Sequence, residues 1–142
     1  MIKKVLLLIL ALCLLFSCTA CSASSSKAND EANEIAESIV GKTYRGRVVT
    51  EDYGAYGADW EMTWKFKDGI VEVIKDSETA NGAPYTNTAE YNYKISGDYS
   101  EAYVVFPDSR AWNDLKIVFN DNVPVTLIHT SSADTSDFYL VN

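Results

Sequence analysis

Three groups of residues have types and spacings that could do chemistry. His129 is the only histidine in the chain. As the base of a Ser-His-Asp arrangement it would need a serine and an acid brought to it from elsewhere, and as a metal ligand it would need carboxylates from other strands. It ends the apolar stretch Val123 to His129 and shares a face with Val125 and Leu127, so it reads as a histidine at the end of a strand. Glu51, Asp52, Asp59 and Glu61 bracket a loop, as would a two-carboxylate glycosidase or a calcium site. No segment carries the Asp-x-Asp-x-Asp-Gly pattern of a calcium loop, and the four read as a solvated, charged loop. The thiols are Cys13, Cys18 and Cys21, all near the start, so the chain beyond them has no disulfide, thiolate nucleophile or cysteine metal site. No catalytic residue, metal or cofactor is expected.

The aromatic residues point to binding instead. In Tyr53-Gly54-Ala55-Tyr56-Gly57-Ala58-Asp59-Trp60, glycines free the backbone while Tyr53, Tyr56 and Trp60 offer flat surfaces with polar edges. Aromatics on an adaptable loop suit contact with sugars, peptides or ring ligands. Tyr85, beside Pro84, and Trp112 would join them if their loops share a rim. Trp64 lies further along the same strand as Trp60 and is expected in the core, or in a cavity wall if a cavity exists. The same aromatics can equally cover the end of a core.

The elements that must position these residues are mostly strands. Asn29 to Val40 reads as a short helix: Asn29 or Asp30 caps it, Asp30, Glu31 and Glu34 favour its positive end, and Gly41 stops it. Ala32, Ile35, Ala36 and Ile39 form one apolar stripe, expected to plug or flank the domain behind it. From Lys42 the period becomes two. Strands are predicted over 43–50, 59–67, 70–75, 88–95, 102–106, 114–119, 123–130 and 138–141, joined by turns such as Asp68-Gly69 and Asn120-Asp121-Asn122. The clearest alternation sets Trp60, Met62, Trp64 and Phe66 against Glu61, Thr63, Lys65 and Lys67. Eight strands in a meander must hide their edges, and closing into a barrel does so most simply. A β-sandwich would satisfy the same alternation.

The start of the chain has its own pattern. Lys3 and Lys4 precede an apolar run from Val5 to Phe16, followed by small residues and cysteines, as in an export signal. The run is about 12 residues, short of the ~20 that span a hydrocarbon core. Leu15-Phe16-Ser17-Cys18 resembles the lipobox of bacterial lipoproteins, with Cys18 the favoured site of lipidation and Cys21 the alternative. That resemblance implies cleavage after residue 17, attachment to the cell membrane or outer membrane with the domain outside the cytoplasm, and a flexible tether over 18–28. Of 12 basic and 20 acidic residues, only Lys3 and Lys4 lie in the expected signal, so the chain beyond residue 17 carries 10 basic and 20 acidic residues, a net −10. That balance argues against nucleic acid and against an anionic membrane surface as partners of the folded domain.

Gly41-Lys42-Thr43-Tyr44-Arg45-Gly46, Phe66-Lys67-Asp68-Gly69 and Tyr93-Lys94-Ile95-Ser96-Gly97-Asp98 resemble the strand openings and turns of small bacterial lipocalin-like domains. The resemblance covers about residues 41 to 142. It departs at Tyr44, in the region where true lipocalins usually carry Gly-x-Trp. It implies an eight-stranded up-and-down barrel over 42–142 that holds a small apolar or amphipathic ligand; the Tyr53 to Trp60 loop, by its own residues, is expected as the lid. The alternative is a barrel filled by its own side chains, acting through its surface on an envelope protein as an adhesin, an inhibitor or an accessory subunit.

Overall fold

A computed structural model of the chain describes residues 26–50, 58–78, 82–109, 113–129 and 136–141. Helix α1 covers residues 26–39 among the described residues, so Asn29 and Asp30, expected as its cap, lie inside it, and the end of the tether expected over 18–28 is helical from residue 26. Nine strands follow: β1 Thr43–Thr50, β2 Ala58–Phe66, β3 Ile70–Glu78, β4 Pro84–Asn92, β5 Lys94–Asp98, β6 Glu101–Val105, β7 Leu115–Asn120, β8 Val123–His129 and β9 Asp137–Val141. They form one antiparallel sheet in the order β4-β3-β2-β1-β9-β8-β7-β6-β5. First and last strands pair, Thr43 with Val141 and Arg45 with Tyr139, so the meander returns on itself as a curled sheet.

The strand count corrects the expectation of eight. The segment predicted as one strand over 88–95 is two, interrupted at Tyr93. The first of them pairs with β3, as in Val73 with Ala89, and the second with β6, as in Ile95 with Val104. β4 and β5 are therefore consecutive in the chain yet stand at opposite edges of the sheet. Tyr93 is the corner between them. Its N–H donates to the Gly69 carbonyl at 3.1 Å, its hydroxyl donates to the Lys67 carbonyl at 3.0 Å, and its ring packs edge-on to Phe66 at 5.0 Å. β4 also begins at Pro84, earlier than expected.

Three turns lie at one end of the sheet: Asp68–Gly69, Tyr99–Ser100 and Asp121–Asn122. Asp121 and Asn122 both have positive φ, 49° and 60°, the conformation of a type I′ hairpin whose twist matches that of its strands. α1 lies across this end and closes it. Ile35 and Ile39 are fully buried in the same cluster as Tyr44, Trp64, Leu115 and Leu127. At its N-terminal half, Glu31 accepts the Tyr99 N–H at 3.4 Å; past its C-terminus, the Gly41 N–H donates to the Phe66 carbonyl at 2.9 Å. At the opposite end β1, β3 and β8 run out of the described residues, and Phe106 to Ser109 follow β6. No helix among the described residues is long and apolar enough to cross a membrane.

The interior is packed with rings. Trp64 lies 5.9 Å from Phe106 and 5.5 Å from Phe138, and Tyr44 meets Phe66 edge-on at 5.7 Å. Tyr44 is buried, and its hydroxyl donates to the Pro124 carbonyl at 3.0 Å, linking β1 to β8 through the core. Gly46 lets β1 and β9 approach: a Cβ there would run into the Asp137 carbonyl oxygen and lie 2.8 Å from Phe138 Cδ1.

Candidate functional site

The concave face of β2, β3 and β4 changes character along its length. Next to α1 the cross-strand row Phe66, Val71, Tyr91 is apolar, and so is the row Trp64, Val73, Ala89. Two pleats further, the row is Met62, Lys75, Asn87; at the open end it is Trp60, Ser77, Tyr85. The period of two that builds the core thus carries a cation, an amide, a hydroxyl and two aromatic rings out beyond it on the same face.

Their geometry is compatible with holding a ligand. The Lys75 Nζ stands 5.5 Å from the centre of the Trp60 ring, within range of a cation–π contact. Lys75 is half-buried, and burial pulls its pKa below the ordinary lysine value because the charged form loses hydration. Asn87 Nδ2 donates to the Tyr85 hydroxyl oxygen at 3.5 Å. The Trp60 Nε1–H is buried with no hydrogen-bond partner among the described residues. These groups can bind an acidic or hydroxylated molecule against a ring; they include no nucleophile paired with a base.

The candidates read from sequence divide accordingly. Trp60 is on this face and half-buried, and Tyr85 is two strands away in the same row, 52 % exposed. Trp64 is fully buried between Phe106 and Phe138, in the core. Tyr53, Tyr56, Trp112, Cys18 and Cys21 lie outside the described residues. His129 is half-buried and faces Leu115 across the β7–β8 pair. Glu61 is exposed and pairs with Arg45 at 3.1 Å; Glu51 and Asp52 lie outside the described residues. Among the described residues no group of three or more histidines, cysteines or carboxylates is placed to hold a metal ion. Lys75 and Asn87 were missed. The signal for Lys75 was a charge in phase with Val71 and Val73, on the apolar side of its strand.

A concavity of about 490 Å³ lies elsewhere, between α1 and the β4–β5 corner. It is lined by Ala36, Val40, Asp68, Tyr93 and Ile95 among others. In comparisons with known proteins, no family model, no curated protein and no solved structure matches the chain.

Proposed function

We propose that this chain is a lipid-anchored, non-enzymatic binding module of the cell envelope, a lipocalin-like barrel that is filled and works through its surface. In this reading β4 and β5 are one bent stave. Counted so, eight staves run up and down, joined edge to edge only at the Tyr93 corner, which leaves Thr86 to Glu90 without a neighbour on one side among the described residues. The observation that carries the reading is the packing of Trp64 against both Phe106 and Phe138, which occupies the middle of the interior with the protein's own side chains. Lipid attachment at Cys18, or Cys21, rests on the lipobox resemblance; the tether would then enter the domain at the end that α1 closes.

A second reading keeps a small amphipathic ligand, seated above the filled core against Trp60, Lys75 and Tyr85. The cation over the Trp60 ring and the Trp60 N–H, without a partner among the described residues, favour it. Native mass spectrometry of the chain purified from its own cells separates the two. A bare mass, with no change in tryptophan fluorescence on titrating fatty acids or sugars, is expected of the surface-acting module. A reproducible small-molecule mass that leaves on denaturation would overturn it in favour of the ligand.

A further inference from the structure

The two edge strands of the sheet are β4 and β5. In the β2–β3 hairpin the Lys67 N–H donates to the Ile70 carbonyl at 2.8 Å, so residues 70, 72, 74 and 76 of β3 face β2 and residues 71, 73, 75 and 77 face β4. Through the β3–β4 register their partners are Tyr91, Ala89, Asn87 and Tyr85, a phase that the Tyr93 N–H to Gly69 carbonyl bond continues. The N–H and C=O groups of Thr86, Thr88 and Glu90 therefore point away from the sheet, with no backbone partner among the described residues. Pro84 is in the same phase, where its missing N–H costs nothing. Asn92 is tied to Asp108 by its side chain at 3.1 Å, which limits the open run to Thr86–Glu90. Just past the other edge strand, in the Tyr99–Ser100 turn, Glu31 of α1 takes the Tyr99 N–H.

An open edge on a nine-residue strand, with no lysine and its side chains exposed from Pro84 to Thr88, is a template for another strand. Charge decides what sort. On the convex face beside this edge lie Asp76 and Glu78, opposite Thr86 and Pro84. Asp76 accepts the Thr86 hydroxyl at 2.6 Å, and neither acid has a cation partner among the described residues. Glu90 is already held by Lys67 at 2.8 Å. A second copy of this chain, paired antiparallel about a two-fold axis, would bring its own Glu90 towards Asp76. We infer that the β4 edge, Thr86–Glu90, binds an extended segment of another protein with Lys or Arg on alternate residues. The cations lie over the convex face near Asp76 and Glu78, and the intervening apolar residues lie beside Tyr85 and Asn87. This rests on the surface-acting reading above.

The test uses the whole chain in mild detergent with an end-capped ten-residue peptide alternating Lys and Val. The Lys-Val peptide is expected to slow amide hydrogen exchange at Thr86, Thr88 and Glu90 by tenfold or more. A Glu-Val peptide, and a Lys-Val peptide N-methylated on alternate residues, are expected to have no effect. Thr88→Pro removes one outward N–H without touching the β3 ladder and is expected to lose binding at least tenfold while keeping its thermal midpoint. If that variant fails to fold, the N-methylated peptide still decides the matter, because protection by it equal to that by the unmethylated peptide would overturn the inference. Equal protection by the Glu-Val peptide, or protection confined to other strands, would overturn it as well. A dimer in sedimentation that Thr88→Pro dissolves would assign the edge to a second copy and overturn it too. A bare native mass with no peptide binding removes only the edge proposal, whereas a bound small molecule removes the reading beneath it.

Discussion

Tyr44 joins two requirements in one side chain: its ring fills the core, and its hydroxyl serves the Pro124 carbonyl on the far side of it. Tyr44→Phe keeps the ring and leaves that carbonyl without its donor, at a cost of about 1–2 kcal/mol in urea unfolding near neutral pH. Burial also pushes the phenol above its ordinary value of 10.0. A group whose pKa is raised on folding contributes stability that is fully present below the unfolded value and is lost as pH rises above it. The stability gap between the native chain and Tyr44→Phe should therefore narrow above about pH 10; a gap that widens there would contradict the burial of this hydroxyl. Gly46 is constrained by space, since a methyl group would meet the Asp137 carbonyl and the Phe138 ring. Both obstacles belong to a paired strand and its core residue, so Gly46→Ala should destabilise by about 1–3 kcal/mol, lowering the thermal midpoint. An unchanged midpoint would mean that β1 and β9 separate at little cost.

At the scale of elements, α1 is held to the sheet through its apolar stripe. Ile35 and Ile39 are both fully buried, and Ile39→Ala should cost about 2–4 kcal/mol by calorimetry. A loss under about 0.5 kcal/mol would show that the helix only rests on that end. The stripe and the strand periodicity were legible because each has one wet and one dry face: β1 falls over 43–50 as its alternation predicts, and β2, β3 and β6 to β9 fall within a few residues of theirs. The two misreadings in the sheet have physical causes. Pro84 to Thr88 are exposed on both faces, so nothing alternates there to announce a strand. Across Tyr93, the alternation of Ala89, Tyr91, Tyr93 and Ile95 continues without a skip. What changes there is the partner, β3 giving way to β6, and a change of partner leaves the side-chain period intact. The candidate site was half legible for the same reason. Trp60 and Tyr85 stood out by type, but only the register shows that they share a row and that Lys75 reaches the Trp60 ring.

Over the whole molecule, the chain beyond residue 17 has 10 basic and 20 acidic residues, and among the described residues five of the cations, Lys27, Arg45, Lys65, Lys67 and Lys116, are held in ion pairs. Lys65 and Lys67 share Glu72, Lys67 also holds Glu90, and Arg45 holds Glu61. These pairs are half-exposed, and such pairs are worth little individually. The unpaired excess is all of one sign, and its self-repulsion acts against the compact state. Salt weakens both, but over different ranges: at about 0.5 M the screening length is a few ångströms, short enough to remove repulsion between distant carboxylates and still longer than a 2.8 Å contact such as Lys67–Glu90. Raising sodium chloride from about 20 mM to about 0.5 M should therefore raise the thermal midpoint by several degrees, equivalent to about 1 kcal/mol in a domain of this size. A midpoint that falls would mean that the Lys65, Lys67, Glu72 and Glu90 network outweighs the repulsion. It would also weaken the case that uncompensated acidic charge near the β4 edge is available to a cationic partner, since both conclusions draw on the same excess.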